Sequence, residues 1–158
     1  MVVVGATSQG EGFLVGHLLA SLAASITFIQ AQPIPPATCK PILPLAFYFE
    51  LGSRETGKGF RDAEGKYWQP PRWDYNRNGY TGAFGTYKGT AAMFGYKNLH
   101  TLPARQQACI FDIMAFLGNP QQQPIGVNGW GAIRSSKELQ AMIRASKHPA
   151  TKGWKFTK

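Results

Sequence analysis

The stretch Leu45-Ala46-Phe47-Tyr48-Phe49-Glu50-Leu51-Gly52-Ser53-Arg54-Glu55-Thr56-Gly57-Lys58-Gly59-Phe60 decides how the fold is read. It contains no proline, and it predicts a helix over Leu45–Glu55 that Gly57 and Gly59 bring to an end. On that helix Glu55 shares a face with Tyr48, Leu51 and Gly52, so its side chain points toward the apolar side. It also lies in the last turn, where the negative end of the helix dipole disfavours a carboxylate. Both effects raise a carboxyl pKa, which suits a group that must hold a proton near neutral pH and then deliver it. Arg54 opposes this only if it reaches the carboxylate, and consecutive helix residues do not face each other. A solvated glutamate at a helix end is the other reading, and helical phase alone leaves both open.

Before this helix, Gln32 to Pro44 carries Pro33, Pro35, Pro36, Pro41 and Pro44, which forbids a continuous helix and reads as a linker over 32–44. Farther upstream, Gly12–Ile29 is uncharged and largely apolar, at the lower edge of the roughly 17–25 residues needed to cross a bilayer. Residues 1–31 are therefore expected to be a signal peptide, with Ala31 as a small residue before cleavage, or a membrane anchor. The lack of a basic start and the presence of Glu11 count against the signal peptide, and an apolar helix packed on the domain is the third possibility.

After the first helix, Gly59–Gly85 is rich in glycine, proline, asparagine and aromatics, which predicts irregular loops or a small hairpin region. Pro103–Leu117 is the clearest later helix, with Ala104, Ala108, Phe111 and Ala115 at helical spacing and Gly118, Asn119 and Pro120 as its stop. Ser136–Ser146 predicts a last amphipathic helix through Leu139, Met142 and Ile143, followed by a basic tail containing Trp154. The fold class expected is α+β, mainly helical. At 158 residues, 44% of them hydrophobic, there is enough chain for one packed domain and its extras, and a monomer is expected.

The formal charge of +9 is unevenly spread, because all 17 basic residues lie at or beyond Lys40. That surface suits an anionic polymer: nucleic acid, anionic lipid or cell wall. With no zinc-finger cysteine spacing, basic heptad helix or aromatic RNA-binding strand motif, no nucleic-acid partner is expected. The three histidines are far apart, the carboxylates do not fall at helical ligand spacing, and no glycine-rich phosphate loop follows a strand. No metal and no cofactor are expected. A thiol peptidase would pair Cys109 or Cys39 with His100 or His148, but Cys109 sits in the apolar run of a helix, where an inert thiol is the commoner outcome. In an exported protein the two cysteines can instead form one disulfide tying linker to helix.

Four segments, in order from Leu45 to Arg134, carry a resemblance. Glu55-Thr56-Gly57-Lys58-Gly59-Phe60 resembles the Glu-Ser-Gly-Gly-Asn-aromatic motif that follows the first helix in resuscitation-promoting factors and related soluble lytic transglycosylases. Asn78-Gly79-Tyr80-Thr81-Gly82-Ala83-Phe84 is similar to that family's Asn-Gly-Tyr-Tyr-Gly-Gly-Leu. Leu102-Pro103-Ala104-Arg105-Gln106-Gln107 resembles its Ser-Arg-Glu-Gln-Gln helix start, and Gly129-Trp130-Gly131-Ala132 its Gly-Trp-Gly-Ala-Trp.

The resemblance implies a lysozyme-like domain over 45–134, preceded by the 32–44 linker and followed by a C-terminal helix and tail over 135–158. It also implies cleavage of peptidoglycan glycan strands between N-acetylmuramic acid and N-acetylglucosamine, in an exported setting or a phage virion or lysis protein. Glu55 would be the acid, and Tyr80 and Phe84 would line the groove beside it, placed there by a turn at Asn78 and Gly79. Gln106 and Arg105 would open a helix near the active-site loop or simply cap it, and Trp130 is more naturally core. The family has Gln-Phe where this chain has Gly85-Thr86, which removes one expected groove contact. Between Phe60 and Asn78 the chain is longer than in the family and includes Tyr67, Trp68, Trp73 and Tyr75, expected as a groove wall for sugar faces or as rings plugging a loop onto the core. Two-carboxylate hydrolysis would need a partner roughly 5–9.5 Å from the acid, with Asp62, Glu64 and Asp74 as candidates. The transglycosylase route needs only one acid. A wall-binding or virion structural module that keeps the shape without the activity is the alternative.

Overall fold

The computed structural model describes residues 31–57 and 70–156. Its helices are α1 (Leu45–Glu55), α2 (Lys88–Met93), α3 (Ala104–Asp112), α4 (Gly131–Ser135) and α5 (Lys137–Ala145), with α3 running on into a π-helical turn over Ile113–Leu117. Three two-residue strands, β1 (Asn76–Arg77), β2 (Tyr80–Thr81) and β3 (Thr86–Tyr87), form an antiparallel sheet in sequence order. The class is α+β and mainly helical. The predicted spans of α1, α3 and α5 hold to within a few residues at their ends. Ser136 starts α5 as a cap whose hydroxyl accepts the Leu139 N–H at 3.2 Å.

The core forms where three apolar stripes converge. Phe47, Tyr48 and Leu51 of α1 meet Ala108, Ile110 and Phe111 of α3, and Leu139 and Ile143 of α5 complete it. Phe111 is the hub, with ring contacts to Phe47, Tyr48, Phe84, Phe116 and Trp130, the last at 4.6 Å between centroids. Glu50 is buried and pairs with Arg54, which also reaches Glu138 of α5 at 3.5 Å. That network ties the outer side of α1 to α5.

The proline-rich segment is extended, as its prolines require, but it is not a free linker. Pro35 C=O accepts from the Gln106 side chain at 2.6 Å, Gln32 N–H donates to Gly95 C=O at 3.2 Å, and Leu43 is buried. Cys39 and Cys109 form a disulfide, Cα to Cα 6.6 Å, so the alternative of a thiol nucleophile is removed. The tail beyond α5 is likewise packed: Trp154 lies against Phe116, its Nε1–H donates to Ala150 C=O at 2.7 Å, and Arg144 stacks over the Phe156 ring at 4.7 Å. Residues 32–44 and the described tail therefore belong to the same packed body as 45–134. Apolar rings and carbonyls with no other partner gain more by docking than by staying in water.

A cross-link spanning 70 residues removes a long loop from the unfolded ensemble, an effect worth about 4 kcal/mol in the chain-entropy account. Reduction, or the pair Cys39→Ser and Cys109→Ser, is expected to lower the melting temperature by roughly 10–20 °C. Thermal unfolding with and without reductant measures it, and equal midpoints would mean that the bridge carries no stability.

One turn beyond Cys109, Asp112 holds the same segment by hydrogen bonds. Its buried carboxyl accepts the Ile42 N–H at 2.9 Å and the Tyr48 hydroxyl at 2.7 Å, while that hydroxyl accepts the Leu43 N–H at 3.0 Å. Burial outweighs both donors and raises the Asp112 pKa to about 7. Burial and the neighbouring Asp112 likewise push the Tyr48 hydroxyl above its usual range. Between the ordinary carboxyl value of 3.8 and about 7 the folded state keeps a proton that the unfolded chain has lost. The contribution is thus present in acid and disappears as pH rises through that window, by roughly 4 kcal/mol at 1.36 kcal/mol per pKa unit. Urea unfolding between pH 4 and 8 should show stability falling with pH, with a shallower slope in Asp112→Asn.

Candidate active site

Glu55 is the last residue of α1, and the burial of Tyr48, Leu51 and Gly52 on its face brings it to the edge of the core. Thr56 pins the helix end. Its hydroxyl donates to Ala83 C=O at 2.7 Å and accepts the Arg72 N–H at 3.2 Å, joining α1 to the loop after β2 and to the segment before β1. From the other side α4 closes in, and the Ala132 N–H donates to Glu55 Oε1 at 2.9 Å.

Burial raises the Glu55 pKa above its ordinary value, while the Ala132 N–H and the charge of Arg134 act in the opposite direction without cancelling it. With Oε1 occupied, Oε2 faces Gly85. A side-chain carbon built on Gly85 would stand 3.7 Å from Oε2, and the backbone there has φ +55°, a conformation that favours glycine.

Gly85 also lines a cleft of about 180 Å³; Glu55 is not itself part of that lining, and its contact with Gly85 is what connects it to the cleft. Tyr80, Tyr87 and Ile125 form its exposed sides and Trp130 its buried end, with the Thr86 and Thr90 segments between. The two tyrosines oppose each other across the β2–β3 pairing and pack edge to face at 5.7 Å. A carboxyl that resists ionisation, next to a residue lining a cleft walled by rings and hydroxyls, has the chemistry to deliver a proton to an ether or acetal oxygen that reaches it.

Compared with family models, curated proteins and solved structures, the chain matches none of them.

Asn78 and Gly79, both at positive φ, make the two-residue turn between β1 and β2, as expected of an Asn-Gly pair, and so present Tyr80 to the cleft. Phe84 is a correction: it is 2% exposed and packs on Tyr48, Trp73 and Phe111, because the chain turns it inward between two glycines. Trp73 lines a different recess, with Leu45, Phe49 and Ala108 among its walls, and is not part of the cleft that Gly85 lines. Tyr75 is half-buried in a turn, where its N–H donates to Arg72 C=O and its C=O accepts from Gly82 N–H, away from the cleft lining. Asp74 projects into solvent, its side chain 79% exposed and 3.9 Å from Arg72, so it is no second carboxylate in the cleft. Asp62, Glu64, Tyr67 and Trp68 lie outside the described residues, as do residues 1–30 with the apolar run; among the described residues no helix is long and apolar enough to cross a membrane.

Gln106 contacts Pro35, whereas its neighbour Gln107 organises the site. Gln107 accepts the Ala83 N–H at 2.8 Å and donates to Trp73 C=O at 2.9 Å and Leu102 C=O at 2.8 Å. Sequence reasoning missed it, together with Tyr87, Ile125 and Ala132. A hairpin signal for Tyr87 was present, since Tyr80-Thr81 and Thr86-Tyr87 flank a glycine-bounded turn. Nothing local marks Ile125 or the Ala132 N–H.

Proposed function

We propose that this chain cleaves peptidoglycan glycan strands between N-acetylmuramic acid and N-acetylglucosamine, as a lytic transglycosylase or muramidase with a lysozyme-like fold. The observation that carries the reading is Glu55: a half-buried carboxyl, anchored through one oxygen and with the other next to Gly85, a residue that lines an aromatic-walled cleft. All four segments behind the family resemblance contribute around this site: the end of α1, the loop through Tyr80 and Ala83, Gln107 holding that loop, and Trp130 to Ala132.

In the reaction, Glu55 Oε2–H protonates the glycosidic oxygen as its bond to the muramic acid C1 breaks. The resulting carboxylate then takes a proton either from the sugar's own C6 hydroxyl, which closes a 1,6-anhydro ring, or from a water that attacks C1. Asp74 being turned to solvent, the described residues favour the route that needs a single acid. The Cys39–Cys109 bridge supports an oxidising, exported setting.

A wall-binding or virion structural module without activity is the second reading. It draws on the Ala132 N–H and Arg134, both of which favour the charged form of Glu55 and so work against an acid. Mass spectrometry of purified wall digested with the protein separates the cases. Anhydro ends identify a transglycosylase, reducing ends identify a hydrolase, and the absence of any released fragment overturns the catalytic reading.

A further inference from the structure

A second recess, about 270 Å³, shares its walls with the cleft. Along three short stretches the chain alternates between the two: Tyr80, Tyr87 and Thr90 line the cleft, and the following residues Thr81, Lys88 and Ala91 line the recess. The β2–β3 pair and α2 are thus the partition between the two cavities. Buried Ala91 and Tyr96 give the recess an apolar floor, and exposed Lys88, Lys97 and Asn98 give it a polar rim. Among the described residues no carboxylate lines it and neither lysine has an ion pair.

Two unneutralised ammonium groups over an apolar floor match a ligand with a small aliphatic body and an anionic end. We infer that this recess is a subsite for a carboxylate-ended peptide branch of the same polymer whose backbone occupies the Glu55 cleft, with Lys88 and Lys97 binding the carboxylate. The inference rests on the proposed wall substrate for the identity of the polymer. A phosphodiester chain offers the same charge but no small aliphatic group to cover Ala91 and the Tyr96 ring, which favours the peptide.

The test reads binding without turnover. The Glu55→Gln chain, with and without Lys88→Ala and Lys97→Ala, is co-sedimented with three preparations of wall: intact, extracted to remove phosphodiester polymers, and stripped of peptide by an amidase. The lysine pair should strengthen binding to the intact and extracted preparations about tenfold, equivalent to about 1.4 kcal/mol, in the range of two exposed charge pairs. It should make no difference on peptide-stripped strands, and the advantage should shrink as salt rises. Lys88→Arg with Lys97→Arg should retain most of it. Equal binding by the alanine variant, or a lysine effect abolished by phosphodiester extraction and not by peptide removal, overturns the inference. Failure of the unsubstituted protein to release fragments would instead sink the catalytic reading and leave this binding result standing.

Discussion

Glu55→Gln should lower the release of soluble fragments from purified wall by about 10²–10⁴, the usual contribution of a positioned general acid. The substitution is close to isosteric, so the Gln carbonyl can still accept the Ala132 N–H at the position of Oε1, and only the proton facing Gly85 is lost. Folding should therefore be untouched, and a matching thermal midpoint would show that the loss is chemical. The pH profile carries a second signature. Burial raises the Glu55 pKa, so the protonated form persists above the ordinary carboxyl range and activity should decline as pH rises through the raised value. Arg134→Gln removes an opposing charge, which should move that decline to higher pH. If Glu55→Gln retains full activity, the acid lies elsewhere.

Gln107→Leu is expected to be the most damaging substitution outside the cleft. The side chain is 2% exposed and satisfies three backbone groups at once, those of Ala83, Trp73 and Leu102. Leucine fills similar volume but leaves a buried N–H and two carbonyls unpaired, at about 1–3 kcal/mol for each group not rescued by water. A loss of about 3–6 kcal/mol in denaturant unfolding follows. Activity should fall further than the folded fraction does, because Ala83 also receives the Thr56 hydroxyl next to Glu55 and stands two residues before Gly85. Gln106→Leu is the control: it gives up a single contact to Pro35 and should cost about 1 kcal/mol with little change in rate. Equal effects of the two would mean that the loop is held by other means.

Much of the helical frame was legible because its signals are local. Proline-free apolar periodicity marks α1, α3 and α5, glycines and Asn119-Pro120 mark the stops, and Asn78-Gly79 marks its turn. The short helices α2 and α4 were not legible, since five or six residues display too little of a period to distinguish them from loop. Aromatic residues were the least predictable. Tyr80 lines the cleft and Phe84 fills the core although they stand four residues apart in one loop, because Phe84 is captured by Phe111 and Trp73 from distant parts of the chain. The same limit applied to 32–44. Proline forbade a helix there but said nothing about whether the extended chain would dock, which depended on Asp112, Cys109 and Gln106 being presented along one helix.

What the chain's order of residues determined alone is the position of Glu55 at the apolar edge of a helix end, since helical phase and a glycine stop act over a few residues. What only the packed molecule decided is the acid's surroundings. The Ala132 N–H on one oxygen, the bare Gly85 face on the other and the Tyr87 and Ile125 walls come from segments that meet only when the core closes. A carboxyl pKa is set by the water excluded and the charges gathered around it, and both are properties of the assembled fold.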